Sequence, residues 1–322
     1  MNIKETIKSI PFLKNIGKKY YIYSQFKDDA KSFLKNYCET AEAKGDYRYS
    51  IMLIVHSLEK GMCMPNPRPY GKDKAVKLLK LLEKCQNKSL FEYGLGVSIL
   101  NKWIGFYKEN NWELDSFHQK CIHFLEGEAI ELDSGYKLYE PIILKKQEKS
   151  FEDVVLSRHS VRNFQPKRLS EEDINLAIQC FIETPTACNR QLCRLIYIED
   201  ESKKDLLNKV IVGLPGFNKK NVQYFVVTYD LAAFVYSGER QQGMFNAGLC
   251  TMNFVNGLHA RGIGSCCLQW SNKKNEDIQV RNALGLKESE RIAVVVAAGY
   301  YLETNIIPCS TRRTKNDIFS KI

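Results

Sequence analysis

Two segments in the second half of the chain are apolar at almost every position. They are VQYFVVTYD, residues 222–230, and RIAVVVAAGYY, residues 291–301. A strand with one face in water alternates apolar and polar residues, so unbroken apolar runs of this length predict strands that are buried on both faces. Helices must then cover both sides of the sheet. The sequence therefore predicts an α+β fold with a central sheet covered by helices.

The segments around these strands show helix-forming patterns. A helix is expected to begin after Ser170, which is a good N-cap, and to run through EEDINLAIQCFIET. CRLIYIED follows as a strand, and Ser202 is expected to cap the next helix. The longest helix is predicted from about Glu239 to Arg261. Its apolar residues lie on nearly all sides, which indicates enclosure by its own domain or by a partner subunit. They are Met244, Phe245, Leu249, Met252, Phe254, Val255 and Leu258.

Residues 1 to about 125 show a different sequence pattern, in which apolar residues repeat with the period of helices. Four segments carry this pattern: DDAKSFLKNYCETAEAKG, YRYSIMLIVHSLEKGM, KDKAVKLLKLLEKCQ and SLFEYGLGVSILNKWIGFYKENN. The chain from Gly127 to Ser150 is polar and is expected to be an extended connection. Since 322 residues suit two domains better than one core, we predict an N-terminal all-α domain with its connector at 1–148 and a second domain at 149–322.

The net charge of +10 arises from 47 basic and 37 acidic residues, which raises the question of nucleic-acid binding. The lysines alternate with acidic residues, as in KDKAVKLLKLLEK, which is typical of the solvated face of a helix. No nucleic-acid motif is recognisable, so no nucleic-acid partner is expected.

The cysteines and the apolar stretches bear on metals and location. The 11 cysteines have no spacing typical of zinc or iron–sulfur sites, so no metal is expected, and their odd number suits a reducing compartment. No apolar stretch is long enough to span a bilayer, and charged residues interrupt MNIKETIKSIPFLKNIGKKYY, unlike a signal peptide. A cytoplasmic protein with no membrane partner is therefore expected.

The segment DVVLSRHSVRNF, residues 153–164, places cationic and polar side chains directly after an apolar run. In an extended segment, Arg158, Ser160 and Arg162 would point to the same side, since they are two residues apart. Two guanidinium groups and a hydroxyl form a good binding site for an oxyanion such as a phosphate. A solvated basic turn is the alternative interpretation.

Three further segments carry groups that suit a nucleotide-like ligand. PTACNRQ at 185–191 supplies amide side chains, RGIGSCCLQW at 261–270 contains a glycine-bounded turn, and STRRTKND at 310–317 holds another pair of cations. With the first segment they fit a ligand that has a phosphate at one end and a planar, amide-rich heterocycle at the other. Flavin mononucleotide (FMN) satisfies all four segments.

The order and spacing of these segments resemble those of the nitroreductase family of FMN-dependent oxidoreductases. The family motif Arg-[Arg/His]-Ser-x-[Arg/Lys]-x-Phe reads RHSVRNF at 158–164, and Pro-Ser-x-x-Asn-x-Gln reads PTACNRQ. The glycine-bearing helix that runs into Gly-Leu-Gly-[Ser/Thr]-Cys reads NAGLCTMNFVNGLHARGIGSC at 246–266, and Arg312-Arg313 is the closing basic pair. The resemblance covers residues from about 150 to 322 and implies a nitroreductase-like central sheet.

The resemblance implies roles for single residues at the phosphate end of FMN. Arg158 and Ser160 from the first segment, with Arg312 and Arg313 from the last, would hold the phosphate. His159 would lie along the ribityl side, with a surface imidazole as the alternative.

At the ring end, Arg162 would approach the N1/O2 edge, where a cation stabilises the reduced flavin. Asn189 would bond the pyrimidine edge, and the backbone around it would flank the ring of the other subunit in a homodimer. Leu268 and Gln269 would place backbone groups near N5, the hydride-accepting atom. The remaining expected cofactor-binding residues are Pro185, Thr186, Ala187 and Gln191.

The resemblance also implies the chemistry. NADH or NADPH would reduce FMN, and a hydride would then pass to a small-molecule acceptor such as a nitro compound, a quinone or another unsaturated molecule. No catalytic residue is predicted, because the flavin carries the reaction. Two alternatives stay open: a nicotinamide-independent FMN enzyme that oxidises a peptide-derived or other specialised substrate, and an FMN-stabilised binding protein without turnover.

The chain departs from the family pattern at three places. Leu192-Cys193 replace a common Pro-Trp, Cys267 replaces a frequent aromatic residue, and Asn246 stands where Asp is frequent. These positions are expected near the substrate side, so they leave the identity of the substrate open.

One pair in the helical half invites a functional interpretation. His56 and Glu59 are three residues apart in YRYSIMLIVHSLEKGM, hence neighbours on one helical face. They are either a surface pair that closes the helix before Gly61, or part of a domain that leans over the flavin and restricts what enters.

Overall fold

The computed structural model describes residues 11–38, 42–215, 217–234 and 236–322. Helices fill the first part of the chain, and helices and strands are mixed in the second. The helices are α1 Pro11–Cys38, α2 Arg48–Met62, α3 Lys72–Lys84, α4 Phe91–Glu109, α5 Ser116–Leu125, α6 Phe151–Ser157, α7 Glu171–Ile182, α8 Glu201–Val210, α9 Gln242–Ala260, α10 Lys274–Ala283 and α11 Lys315–Ile318. The strands are β1 Tyr136–Tyr139, β2 Cys193–Ile198, β3 Gln223–Asp230, β4 Ile263–Gln269, β5 Glu290–Tyr300 and β6 Asn305–Pro308.

The central sheet has four antiparallel strands in the order β2-β3-β5-β4. The two apolar runs form β3 and β5 in its middle, where Val226, Val295 and Ala297 are fully buried. One face packs against α8 and α10, and the other packs against α7 and α9. The prediction of a sheet that is buried on both faces and covered by helices is therefore confirmed.

Helices α2 to α5 pack around a hydrophobic core of their own. Trp103 is fully buried in it, its ring stacks on that of His118 at 4.9 Å, and its Nε1 donates to the carbonyl of Tyr70 at 2.9 Å. Asp115 caps α5 by accepting hydrogen bonds from the backbone N–H groups of Phe117 and His118. A helical region thus precedes the sheet, as predicted.

The segment expected to be an extended polar connection contains β1, which pairs antiparallel with β6. Beyond β6, the N–H of Cys309 donates to the carbonyl of Gly135 at 3.1 Å. The hydroxyl of Thr311 donates to the carbonyl of Asp133 at 2.6 Å. A second, two-stranded sheet therefore joins the helical region to the segment that follows the central sheet.

Helix α9 differs from its prediction in two ways. It has 19 residues, whereas α1 has 28, so it is not the longest helix among the described residues. Ala247 and Phe254 on its inner face are fully buried, but Met244 and Phe245 are 51% and 61% exposed. Leu249 is also exposed. The rest of the chain therefore does not enclose this helix. Of the two predicted kinds of enclosure, cover of its outer face by a partner subunit is the one that stays open.

Several local predictions can be compared directly. Ser170 caps α7 by accepting the N–H of Asp173 at 3.3 Å, as predicted. For α8 the predicted cap, Ser202, is wrong: the helix begins two residues earlier, and the carboxylate of Asp200 accepts the N–H of Lys203 at 3.1 Å.

Strand β4 was not predicted, because its sequence IGSCCLQ contains small residues in place of an apolar run.

Within the described ranges, no helix combines the length and the apolar character that crossing a membrane requires.

Candidate functional site

The segment 158–164 runs along the edge strand β4. Helix α6 ends at Ser157, and the N–H of Val161 donates to the carbonyl of Ser265 at 3.1 Å. Val161 and Phe164 are buried. Gly264 permits this close approach, since a Cβ at that position would lie 2.5 Å from Cγ2 of Val161. The apolar side chains of the segment thus anchor it to the core and leave its polar ones free to face a ligand.

A cavity of about 270 Å³ lies where this segment, β4 and the residues after β6 meet. Arg158, Ser160 and Arg162 all line it, in agreement with the alternation of an extended segment, and Arg312, from the segment after β6, lines it too. No carboxylate is among the lining residues. They are His56, Arg158, His159, Ser160, Arg162, Cys266, Cys267, Pro308, Ser310 and Arg312.

The three guanidinium groups of the cavity lack acidic partners. Among the described residues, Arg158, Arg162 and Arg312 form no ion pair, whereas most of the other arginines pair with nearby carboxylates. Guanidinium groups held together without a counter-charge repel one another, and an oxyanion relieves that repulsion. The cavity is therefore a candidate anion site.

His159 lines the same cavity, although alternation alone would turn it to the other side. Its ring meets that of Tyr139 edge-on, with 5.0 Å between the ring centres. Burial, followed by the positive charges of Lys137 and Arg158, lowers the pKa of His159 to about 4. The imidazole is therefore neutral near pH 7, and it can donate one hydrogen bond and accept another.

A buried hydrogen-bonded group, which the sequence analysis missed, supports the cavity from behind. Nε2 of His259 lies 2.8 Å from Oγ of Ser157, and its Nδ1 lies 2.8 Å from the hydroxyl of Tyr301. The hydroxyl of Tyr139 donates to the carbonyl of Ser157 at 2.8 Å. This group fixes the end of α6, from which Arg158 enters the cavity. No local motif could have revealed it, since His259 and Ser157 are 102 residues apart.

The structure does not bring Arg313 into the cavity with Arg312. Its guanidinium pairs with the carboxylate of Glu92 near the start of α4, where the Glu92 side chain is 4% exposed. Neighbouring residues of an extended segment point to opposite sides, which accounts for the divergence. Of the expected phosphate-binding set, Arg158, Ser160 and Arg312 are together, and Arg313 instead joins the helical region to the segment after β6.

The segment 185–191 does not line the cavity. Cys188, Asn189 and Gln191 have φ values of 54°, 51° and 49°, a left-handed conformation that non-glycine residues adopt rarely. The N–H of Gln191 donates to Oγ1 of Thr186 at 2.9 Å, which helps to hold this conformation. Backbone strain of this kind concentrates at binding sites. Asn189 and Gln191 are exposed in the single chain, as is Pro185.

Two of the departures from the family pattern support this segment from below. The N–H of Ala187 donates to Oδ1 of Asn246 at 2.8 Å, and Asn246 is 1% exposed. Leu192 is 7% exposed. Both are buried in the single chain, and Asn246 supports the loop through this hydrogen bond.

The two residues expected near N5 lie at the end of β4. The Leu268 side chain packs in the core, so only its backbone is available to a ligand, and Gln269 is exposed. Neither lines the cavity, whereas Cys266 and Cys267 from the same strand do.

The helical region also contributes to the cavity wall. His56 of α2 lines it together with the arginines, and its Nδ1 lies 3.6 Å from Oε2 of Glu59. Burial, followed by the positive charge of Arg162, lowers the pKa of the Lys60 ammonium, which places Lys60 on the same side of the helix end. Of the pair singled out from the sequence, His56 therefore lines the cavity, whereas Glu59 is buried and does not.

The donor set of the cavity suits one part of FMN. Three guanidinium groups and a hydroxyl match a phosphate, and neutral His159 suits the hydroxyl-bearing ribityl chain. A volume of about 270 Å³ is below the range of roughly 300–1,000 Å³ that encloses a whole drug-sized ligand. The cavity of one chain therefore matches a phosphate and its neighbouring chain in size and donors, and it is too small for a flavin ring as well.

Comparisons with known proteins bear on the second half of the chain. Residues 155–300 match the model of the nitroreductase family. A search of curated proteins finds no match.

Three solved structures of bacterial proteins are similar to part of this chain. A protein from Desulfovibrio desulfuricans, described as a nitroreductase and solved in complex with FMN, is 20% identical, with 55% of this chain and 98% of that chain covered and a TM-score of 0.46. A nitroreductase family protein from Clostridium novyi is 16% identical, with coverages of 48% and 86% and a TM-score of 0.43. An FMN-dependent nitroreductase from Clostridium difficile is 19% identical, with coverages of 46% and 85% and a TM-score of 0.40. The match of the family model to residues 155–300 confirms the resemblance to the nitroreductase family for that range, and the helical region lies before it.

Proposed function

We propose that this protein is an FMN-dependent oxidoreductase that takes two electrons from NADH or NADPH and passes a hydride to a small unsaturated acceptor. The observation that carries the proposal is the cavity of Arg158, Arg162 and Arg312, which has no carboxylate in its wall. Two of these residues lie within the range that the family model matches. When bound, FMN supplies the two-electron chemistry.

In this proposal, different residues of the chain hold different parts of the cofactor. Arg158, Ser160 and Arg312 hold the phosphate, and His159 contacts the ribityl chain. Arg162 favours negative charge at the flavin edge that it faces. Charge-assisted hydrogen bonds contribute roughly 1.5–3 kcal/mol each, so two or three of them account for tight binding of the phosphate.

The functional unit of this proposal is a homodimer. Three observations support it: the cavity is too small for a whole FMN, the strained segment 185–191 is exposed, and the outer face of α9 is apolar and exposed. A second copy packed on α9 would cover Met244, Phe245 and Leu249 and bring its own Asn189 to the ring. Large exposed apolar patches of this kind mark interaction surfaces.

The first experiment identifies the pigment and the electron donor. The purified protein is expected to be yellow, with about one FMN per chain, identified by mass after release by heating. Anaerobic NADH or NADPH is expected to bleach the flavin absorbance within seconds, and menadione to restore it. FAD, or no flavin after reconstitution, would contradict the proposal. Bleaching by dithionite alone would favour the nicotinamide-independent alternative.

The second experiment tests the dimer. Light scattering across a dilution series is expected to give twice the mass of one chain for the flavin-loaded protein. Phe245→Glu places a charge on the exposed face of α9, so it is expected to shift the protein toward monomer and to release FMN together. A flavin-loaded monomer would refute the shared site.

A further inference from the structure

Helix α1 lies apart from the hydrophobic cores that the described residues form, and it precedes the range that matches the nitroreductase model. Arg240, directly before α9, fastens α1 to the second half of the chain. Its Nε and Nη2 donate to the two carboxylate oxygens of Asp29 at 2.5 and 2.8 Å, and its Nη1 donates to Oε1 of Gln25 at 3.3 Å. Since Gln25 and Asp29 are one turn apart, one side of α1 faces Arg240. The other sides of this helix are available to a partner.

A second side of α1 carries large apolar residues that are exposed. The positions on this side follow one another in alternating steps of four and three residues, which is the spacing of a coiled-coil seam. They are Phe12, Ile16, Lys19, Tyr23, Phe26 and Ala30, which together are called the α1 seam below. Its four large apolar residues are between 48% and 74% exposed. This spacing indicates that the partner of the seam is another helix.

The α1 seam is complementary to itself when a second copy of α1 runs in the opposite direction. With residue 21 at the centre, the facing pairs are Phe12 with Ala30, Ile16 with Phe26, and Lys19 with Tyr23. Large side chains then meet smaller ones at the ends, and the ammonium of Lys19 meets an aromatic ring, which is a favourable contact. A parallel pair would instead place Lys19 against Lys19. The order of residues in the seam therefore favours an antiparallel pair, in which both chains use the same surface.

The anchor of α1 also adjoins the exposed outer face of α9. Nε2 of Gln241 lies 3.5 Å from Oδ2 of Asp29, and Gln241 lies one turn before Phe245, on the same side of the helix. Residue 21 is about 12 Å along α1 from Asp29, and the middle of the α9 face is about 11 Å along α9 from Gln241, at 1.5 Å per residue. The similar distances allow one two-fold axis to relate both exposed faces to those of a second copy.

The α1 seam enlarges the surface that a second copy would cover. Each of its exposed aromatic residues offers on the order of 100 Å² of surface. A stable interface takes about 800 Å² from each partner, which a single row of exposed residues on α9 does not supply. The seam and the outer face of α9 together come closer to this requirement.

We infer that α1 is a dimerisation arm, which pairs antiparallel with α1 of a second copy of this chain through the α1 seam. This inference extends the proposed homodimer and rests on it, because the outer face of α9 forms the other part of the same interface. An anionic lipid surface is the other kind of partner that an apolar helix face with lysines fits, and the experiment separates the two.

The first test compares Ile16→Glu, in the α1 seam, with Gly17→Glu as a matched control. A Cβ at Gly17 would meet no atom within 4 Å, so the control places the same charge on the same helix in open space. Ile16→Glu is expected to raise the dimer dissociation constant by about 10- to 100-fold, as for loss of a large buried apolar side chain. Gly17→Glu is expected to leave it within about twofold. Sedimentation across a dilution series gives the constants, and circular dichroism reports helix content.

The second test examines the register of the pair at Tyr23. In the antiparallel pair, Tyr23→Lys places two ammonium groups together and is expected to weaken the dimer by about 10-fold or more. Tyr23→Glu places a carboxylate against Lys19 and is expected to leave the dissociation constant within about threefold. Adding Lys19→Glu to Tyr23→Lys is expected to restore the dimer. A parallel pair would bring Tyr23 against Tyr23, so equal weakening by both substitutions would overturn the antiparallel pairing.

The remaining outcomes separate this inference from the proposed homodimer. If Phe245→Glu dissociates the dimer and Ile16→Glu does not, the α9 interface stands and the role of α1 is refuted. A monomeric unmodified protein would refute both. Flotation of the protein with phosphatidylglycerol vesicles, lost in Ile16→Glu without a change in mass, would assign the α1 seam to a lipid surface instead. Absence of flavin would refute the proposed chemistry and leave the mass measurements readable.

Discussion

Arg312 and Arg313 are adjacent in the sequence, and they belong to two regions with opposite electrostatics. Arg312 faces the cavity, where three guanidinium groups gather and no carboxylate lines the wall. Arg313 faces the helical region, where it pairs with the buried carboxylate of Glu92. Glu92 forms an ion pair with Arg313, whereas no carboxylate lines the cavity beside Arg312. The comparison teaches that a cation marks a ligand site only where the fold has left it without an internal partner.

The largest expected effect is the loss of stability when the ion pair between Arg313 and Glu92 is broken. Arg313→Ala leaves the carboxylate of Glu92 buried without its partner, and breaking buried pairs costs about 3–5 kcal/mol. Because the Arg313 side chain is 34% exposed, the expected loss is smaller. We expect the free energy of unfolding to fall by about 2–3 kcal/mol, measured by urea denaturation.

Arg312→Ala is the matched control, and it is expected to change the free energy of unfolding by less than about 0.5 kcal/mol. Adding Glu92→Gln to Arg313→Ala is expected to recover part of the loss, because the buried charge is removed. Equal destabilisation by the two single variants would erase the distinction between the regions.

The next effect is on the affinity for FMN, when Arg158, an arginine without an acidic partner, is removed. Arg158→Ala removes one phosphate contact, so the affinity for FMN is expected to fall by about 10- to 100-fold, in line with roughly 1.5–3 kcal/mol for a charged hydrogen bond. Riboflavin, which lacks the phosphate, is expected to bind both proteins equally. Both affinities can be measured by quenching of flavin fluorescence. Equal losses for the two ligands would mean that Arg158 supports the fold instead.

A third prediction concerns pH and the wall behind the cavity. Burial, followed by the positive charge of Arg158, lowers the pKa of His259 to about 4. In the unfolded chain a histidine has a pKa near 6.5, so between these values the unfolded state binds more protons and stability falls as the pH falls. The contribution of His259 to the free energy of unfolding is expected to decrease by about 2 kcal/mol between pH 7 and pH 5.

The variant His259→Gln isolates this effect. Its stability is expected to depend less steeply on pH across that window than the stability of the unmodified protein, as followed by urea denaturation at several pH values. Parallel curves for the two proteins would mean that His259 does not remain neutral in the folded state.

The smallest effect is expected at an arginine that belongs to neither region. Arg168 pairs with Glu199, and the two side chains are 62% and 64% exposed. Exposed ion pairs contribute about 0–1 kcal/mol, so Arg168→Ala should change the thermal midpoint only slightly and leave FMN affinity as it was. If Arg168→Ala lost as much stability as Arg313→Ala, burial of Glu92 would not explain why the Arg313–Glu92 pair contributes more than the Arg168–Glu199 pair.

The sequence could predict those parts of the fold and site that depend on local pattern. The apolar runs identify β3 and β5, and the two-residue alternation identifies the side of the chain on which Arg158 and Arg162 lie. Arg313 could not be assigned, because its partner Glu92 is 221 residues away. Strand β4 escaped notice because it lies at the edge of the sheet and is built of glycine, serine and cysteine, which carry little periodic signal.

The pairing of β1 with β6 has a consequence for synthesis on the ribosome. Strand β1 ends at Tyr139 and its partner begins at Asn305, so a growing chain carries an unpaired strand edge while the whole central sheet is being made. Open edges invite association with other chains. The third guanidinium of the cavity, Arg312, emerges only after β6. The cavity therefore gains its third guanidinium only when the partner strand that closes this edge has been made.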